Sequence, residues 1–210
     1  MKKARAQSRS PLLLVALIGL AGGMLAAVLL LAVPDPGQSP NGPQSQTSGK
    51  ALIGGPFSLT APDGKRVTEK DFIGRAMLVY FGFTNCPDVC PSGLQVISAA
   101  LDKLGPKADG LAPLFITVDP ERDTPAVMGQ YVKSFSPHII GLSGTEEEVK
   151  QVAKGYRVYF RKTAPDPANG SYSVDHSAFM YLMNSKGEFV KHLPQTIGVD
   201  ELAQELTKLQ

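Results

Sequence analysis

One stretch, Thr84-Asn85-Cys86-Pro87-Asp88-Val89-Cys90-Pro91, limits what this chain can fold into more than any other. It holds both of the cysteines found among 210 residues, four positions apart. An unbroken apolar run at 77–83 precedes it, of strand length and with no polar alternation, as expected of a strand covered on both faces. After it, Leu94, Ile97, Leu101 and Leu104 recur at helical spacing until Gly105-Pro106 stops them. A buried strand, a turn bearing two thiols and a helix must therefore follow one another. The sulfurs are left at the end of a sheet strand, placed for chemistry with each other or with a soft metal.

The chain around this unit repeats the alternation. Residues 57–60, a turn at Asp63-Gly64 and Arg66-Val67-Thr68 predict a β-hairpin. A second buried strand is predicted at 111–118. Thr124-Pro125 pairs an N-cap residue with a proline suited to the first helical turn, opening a helix through Phe135. Thr145 and Glu148 form a capping box for another. Strands are expected at 158–160, 172–174, 179–183 and 189–193, the last two joined by a turn at Ser185-Lys186-Gly187, with a closing helix at 200–209. Strands alternating with helices, then a terminal hairpin and helix, predict an α/β fold with a mixed sheet.

The first fifty residues read differently. Residues 12–33 carry no charge and are rich in Leu, Ala, Val and Gly. At about 1.5 Å per residue they span the roughly 30 Å hydrocarbon core of a bilayer, and they exceed the roughly 7–15 apolar residues of a cleaved signal. Lys2, Lys3, Arg5 and Arg9 precede this run and no positive charge closely follows it. That bias places the N-terminus in the cytoplasm and the rest of the chain across the membrane. Four prolines among Gly, Ser, Gln and Asn make 34–50 a tether. The expected organisation is a basic tail (1–11), a transmembrane anchor (12–33), a flexible linker (34–50) and one folded domain (51–210). The short basic N-terminus suggests a bacterial inner membrane with the domain in the periplasm. Overall 21 basic residues face 19 acidic ones, with no basic stripe, so nucleic acid is not an expected partner.

An extracytoplasmic domain often pairs its cysteines in a structural disulfide. A bridge between Cys86 and Cys90 would close a very short loop, however, and constrain the unfolded chain little. Pro87 biases Cys86 toward extended backbone, and Pro91 suits a first helical turn. Cys90 is thereby expected near a helix N-terminus, whose partial positive charge favours thiolate. Residues four apart on a regular helix have Cβ atoms about 5–6 Å apart, wider than the roughly 3.5–4.5 Å of a disulfide. The prolines disturb that regularity, and spacing alone leaves both outcomes open.

Three histidines could add a ligand. His138 follows Pro137 and reads as a loop residue, and His192 reads as a strand-surface residue of the last hairpin. His176 lies immediately before a strongly apolar strand, where Asp175 or a nearby group could orient its ring. Taken alone, a histidine before a strand is more often structural. Two thiolates and one imidazole make a soft, low-coordinate site suited to copper. Zinc usually takes a fourth ligand, which Asp88 could supply.

Three motifs in order, Thr84 to Pro91, Val118-Asp119-Pro120-Glu121-Arg122-Asp123-Thr124-Pro125, and Asp175-His176-Ser177, resemble the Sco/SenC family. These are membrane-tethered copper-binding proteins with a thioredoxin-like fold, and the resemblance runs through the domain from about Gly54. It implies a thioredoxin-like fold with an N-terminal hairpin, preceded by one transmembrane helix. It also implies one copper ion, Cu(I) or Cu(II), held by Cys86, Cys90 and His176. The implied role is maturation of the binuclear CuA site of cytochrome c oxidase, as a chaperone rather than an enzyme. Implied partners are the oxidase subunit carrying that site and another periplasmic copper chaperone or thiol–disulfide oxidoreductase. The alternative is a thiol–disulfide reductase in which Cys86 and Cys90 are the catalytic pair and keep the CuA cysteines reduced. A thioredoxin-fold peroxidase, with Arg122 supporting the thiol, is a weaker third reading. The 119–125 motif has no assigned ligand role and is expected to be a strand end and helix cap near the site.

Overall fold

A computed structural model describes residues 52–210 of the chain. The expected basic tail, membrane anchor and linker lie outside the described residues. Within those residues no helix is long and apolar enough to cross a membrane.

The predicted hairpin forms from β1 (Ser58–Thr60) and β2 (Arg66–Thr68), paired antiparallel. A 3-10 turn (Glu69–Phe72) leads into β3 (Ala76–Gly82), and the thiol loop follows, then α1 (Val89–Leu104). Next come β4 (Leu111–Thr117), α2 (Pro125–Lys133), β5 (Ile140–Leu142), α3 (Glu146–Gly155), β6 (Phe160–Lys162), β7 (Val174–His176), β8 (Phe179–Met183), β9 (Phe189–Pro194) and α4 (Val199–Thr207). The main sheet has the order β5-β4-β3-β8-β9, with β3, β4 and β5 parallel and β8 and β9 antiparallel. Every residue of β3 and β4 is buried, which is why neither shows polar alternation.

Aromatic side chains of β3 seal both faces. Tyr80 packs 5.7 Å from Phe115 on β4, which in turn meets Tyr131 of α2. On the other face Phe81 lies against Tyr156, just beyond α3, and Tyr181 of β8. Helix α1 rides close on the first face, because a side chain at Gly93 would put its Cβ 2.7 Å from the Tyr80 hydroxyl. Both predicted helix starts hold. Thr124 caps α2, and Thr145 with Glu148 forms the capping box of α3, whose glutamate also receives Arg66 of β2 at 2.6 Å.

Two strands sit later than the sequence pattern places them. Val158 still belongs to the turn that closes α3, where its N–H donates to the Ala153 carbonyl and Arg157 turns with φ 56°. The next strand therefore starts at Phe160. Its partner is Val174–His176, in register Phe160↔His176, rather than 172–174. His176 is thus the last residue of a strand, not a loop residue ahead of one. The β6–β7 pair stands apart from the main sheet as a two-stranded flap. Its Arg161 and Lys162 face solvent, so it lacks the apolar pattern that marks the other strands.

Candidate metal centre

The site forms at the carboxyl end of β3. Gly82 and Phe83 are buried, and the chain then turns through Thr84 and Asn85, with the Cys86 N–H donating to the Phe83 carbonyl at 3.3 Å. Cys86 is half-buried at the tip of this turn. Cys90 lies inside the first turn of α1, fully buried and packed in the core. Both are free thiols. A Cβ at position 82 would stand 2.7 Å from both Cys90 Sγ and Phe115, so this strand end must be glycine for the sulfur to sit where it does.

The helix start acts on the cysteine opposite to the one expected. The backbone N–H of Cys90 donates to Cys86 Sγ at 3.4 Å, so the helix amide addresses Cys86. Burial dominates at Cys90 and pushes its thiol well above the ordinary range, with the neighbouring Cys86 pushing the same way. Without a bound cation, Cys90 is a thiol.

His176 completes the arrangement from the flap. Its Nε2 lies 3.6 Å from Cys90 Sγ, and its ring stands edge-on to Phe83 at 5.9 Å. The ring is oriented by the Ser177 carbonyl, 3.0 Å from Nδ1, and not by Asp175, which pairs outward with Arg161. With the Nδ1 proton donated there, the Nε2 lone pair faces the thiol. Burial lowers the imidazole pKa below the usual 6.5, which keeps the ring neutral and able to ligate.

Donors bonded to one ion at about 2.3 Å (sulfur) and 2.1 Å (nitrogen) with near-tetrahedral angles stand about 3.6 Å apart. The Cys90–His176 pair matches that separation, and its donors are soft enough for copper. Cys86 is less ready. Among the described residues no group of three His, Cys, Asp or Glu side chains is already arranged to hold a metal ion. Cys86 is held beside the pair by the Cys90 N–H. A cleft of about 250 Å³ bounded by Phe83, Cys86, Val174 and His176 lies beside it, and one of about 630 Å³ lies on the far side of Cys86, toward Thr163 and Tyr172.

Other sequence candidates fall away. Asp88 is exposed and accepts from the Ser92 hydroxyl at 3.2 Å across the first turn of α1. His138 is 3.7 Å from Asp109, remote in sequence from the thiols, and His192 on β9 stacks on Phe189 and meets Phe179 of β8 edge-on. Arg122 gives its Nε to Asp119 and its Nη1 to the Tyr172 carbonyl, while its buried Nη2 has no hydrogen-bond partner. Sequence reasoning missed Gly82, placed Asp123 only within a motif of strand end and helix cap, and missed Tyr172. The Phe-Gly-Phe end of the apolar run was a signal for the first. Two acids flanking a turn were the signal for the second.

Residues 45–210 match the family model described as SCO1/SenC. The chain belongs to the SCO1/SenC family. It is 48% identical over 166 residues to the mitochondrial protein SCO1 homolog 1 of Arabidopsis thaliana, covering 79% of this chain and 49% of that protein. It is 47% identical to the human mitochondrial SCO1 homolog, across 75% of this chain and 53% of that one. The chain thus spans about half the length of these curated relatives. A SCO2-like protein of Rickettsia prowazekii is 35% identical, with 91% and 93% covered. Among solved structures, Bradyrhizobium japonicum ScoI with copper bound has a TM-score of 0.71 at 46% identity, covering 75% of this chain and 99% of that one. Yeast Sco1 with copper bound has a TM-score of 0.68 at 43% identity, covering 74% and 87%. The thioredoxin-like α/β expectation holds for the described domain.

Proposed function

We propose that this chain is a membrane-tethered copper-binding protein that serves cytochrome c oxidase assembly, carrying one copper ion to the CuA site. Cys86, Cys90 and His176 are the ligands, the 12–33 segment is the anchor, and the domain works in the periplasm of a bacterial inner membrane. The observation that carries the reading is the His176 Nε2 lone pair, aimed at Cys90 Sγ from 3.6 Å and fixed there by the Ser177 carbonyl. Copper-bound ScoI of B. japonicum, 46% identical, supports the choice of metal. The cation neutralises a sulfur that burial otherwise keeps protonated, so loading releases the Cys90 proton. Delivery proceeds by ligand exchange with the receiving site's own cysteines and histidines.

The test is copper affinity and stoichiometry of the detergent-solubilised full chain beside His176→Ala. One copper per chain, with affinity sharply lowered in the variant, is the expected result. Unchanged affinity in His176→Ala defeats the three-ligand site. Mixing the loaded protein with an apo oxidase CuA domain separates delivery from reduction. Copper movement without disulfide formation supports the chaperone. Thiol oxidation without copper movement, indifferent to His176, supports a thiol–disulfide reductase acting through Cys86 and Cys90.

A further inference from the structure

The 119–125 segment supplies a strand end and the Thr124 cap, but those roles leave most of its side chains unexplained. Asp119 and Asp123 are fully buried acids, and burying a carboxylate is costly unless it is bonded. Asp123 faces the thiol loop. Its carboxylate accepts from the Thr84 N–H (3.0 Å), the Thr84 hydroxyl (2.5 Å) and the Thr117 hydroxyl (2.7 Å), and Thr84 is two residues from Cys86.

The rest of the turn faces the flap. The Tyr172 hydroxyl donates to Asp119 at 2.9 Å, and Lys162 Nζ donates to Glu121 at 2.6 Å. Arg122 Nη1 donates to the Tyr172 carbonyl at 3.0 Å, and the guanidinium lies 3.8 Å above the Tyr172 ring while Asp119 holds its Nε. Apart from the Arg161–Asp175 pair within the flap itself, the side-chain hydrogen bonds and ion pairs found among the described residues between 160–173 and the rest of the domain converge on 119–122. Arg122 also sits 5.9 Å from the Phe83 ring, the ring that His176 meets edge-on. One short turn grips the thiol loop at one end and the imidazole flap at the other.

We infer that residues 119–123 are a clasp that fixes the spacing between the cysteine pair and His176, with Arg122, Asp123 and Tyr172 as positioning residues that touch no metal. The inference rests on the copper reading for its functional consequence but not for its mechanical one. A purely structural brace would stabilise the domain and leave the partnership of the two half-sites alone. A clasp couples them.

The full-length chain in detergent separates these outcomes. In the metal-free protein, Arg122→Lys is expected to raise hydrogen exchange at 172–176 about tenfold or more, and Asp123→Asn to do so at 84–88, while β3 and β4 keep their protection. Cu(I) competition against a chromophoric chelator then compares Arg122→Lys in the native and His176→Ala backgrounds. The expected loss is about tenfold in the first, within the roughly 10–100-fold of outer-shell changes, and under about twofold in the second. Equal losses in both backgrounds, or unchanged exchange in the flap, overturn the clasp. If His176→Ala alone changes nothing, the copper reading falls instead, and exchange by itself decides on the clasp. Should Arg122→Lys not fold, Tyr172→Phe deletes only the hydroxyl contacts to Asp119 and Glu121 and is read the same way.

Discussion

The two halves of the site are built to different standards. The thiol half grows out of the centre of the molecule, where β3 and β4 are buried along their whole length and Cys90 packs among aromatic rings. The imidazole half rides on two three-residue strands outside the main sheet, with charged residues on their surface. A soft cation held between them, as proposed, would meet one jaw built into the core and one built on the surface. Protein interiors at core density resist displacement, whereas a short exposed hairpin depends on the few contacts that anchor it, here those to 119–122. The contrast suits a carrier, which must hold its ion and also let go.

The largest expected effect tests the rigid jaw. Cys90→Ser should reduce copper affinity beyond the roughly 10–100-fold of outer-shell changes, because it removes a soft ligand and leaves the flap intact. Chelator competition measures it, and a smaller loss would make the thiol half no more important than its surroundings. Next comes the proton. Burial holds Cys90 as a thiol and His176 as neutral imidazole, so copper displaces at least one proton above the histidine range. Apparent affinity should then rise by at least about tenfold per pH unit between about pH 6.5 and 8, a slope readable by titration in buffers of different ionisation enthalpy. Stability follows His176 with a defined sign. Its folded pKa lies below the unfolded 6.5, so the unfolded chain takes the proton first. Stability is held above about pH 6.5 and falls as acid is added below it, and His176→Gln should flatten that part of the profile in pH-dependent thermal melts.

Gly82→Ala is expected to cost about 1–3 kcal/mol through overpacking against Cys90 Sγ and Phe115, and to lower copper affinity as the sulfur shifts. Thermal and chelator measurements on the same variant would reveal whether the core jaw has slack that the static packing conceals. The smallest change is Lys162→Ala on the flap. Its pair with Glu121 is solvent-exposed, and such pairs contribute about 0–1 kcal/mol, so melting should barely move. A loss as large as that of Gly82→Ala would erase the distinction between the halves.

What could be read from the residues follows the same division. The strands at 77–83 and 111–118 were legible because burial on both faces writes an uninterrupted apolar run. Thr124-Pro125 and Thr145-x-x-Glu148 were legible because caps are local. The flap was misplaced by two residues in each strand because nothing in Phe160-Arg161-Lys162 distinguishes a strand from a loop. Its register is set by the left-handed Arg157 and by pairing across fourteen residues. Cys86 and Cys90 were visible as a pair, but which sulfur the helix amide would serve depended on α1 starting at Val89. His176 could be suspected from its neighbours. Its orienting group could not, since a backbone carbonyl leaves no trace in a list of side chains.

That carbonyl has a further consequence. Because the acceptor for Nδ1 belongs to Ser177, the next residue along, the ring and its partner form a single cartridge that moves as one piece. Replacing the serine side chain leaves the acceptor in place, so point substitution at 177 does not unlock the tautomer. The aim of the Nε2 lone pair is therefore set within two consecutive residues and does not depend on the contacts made by the rest of the flap.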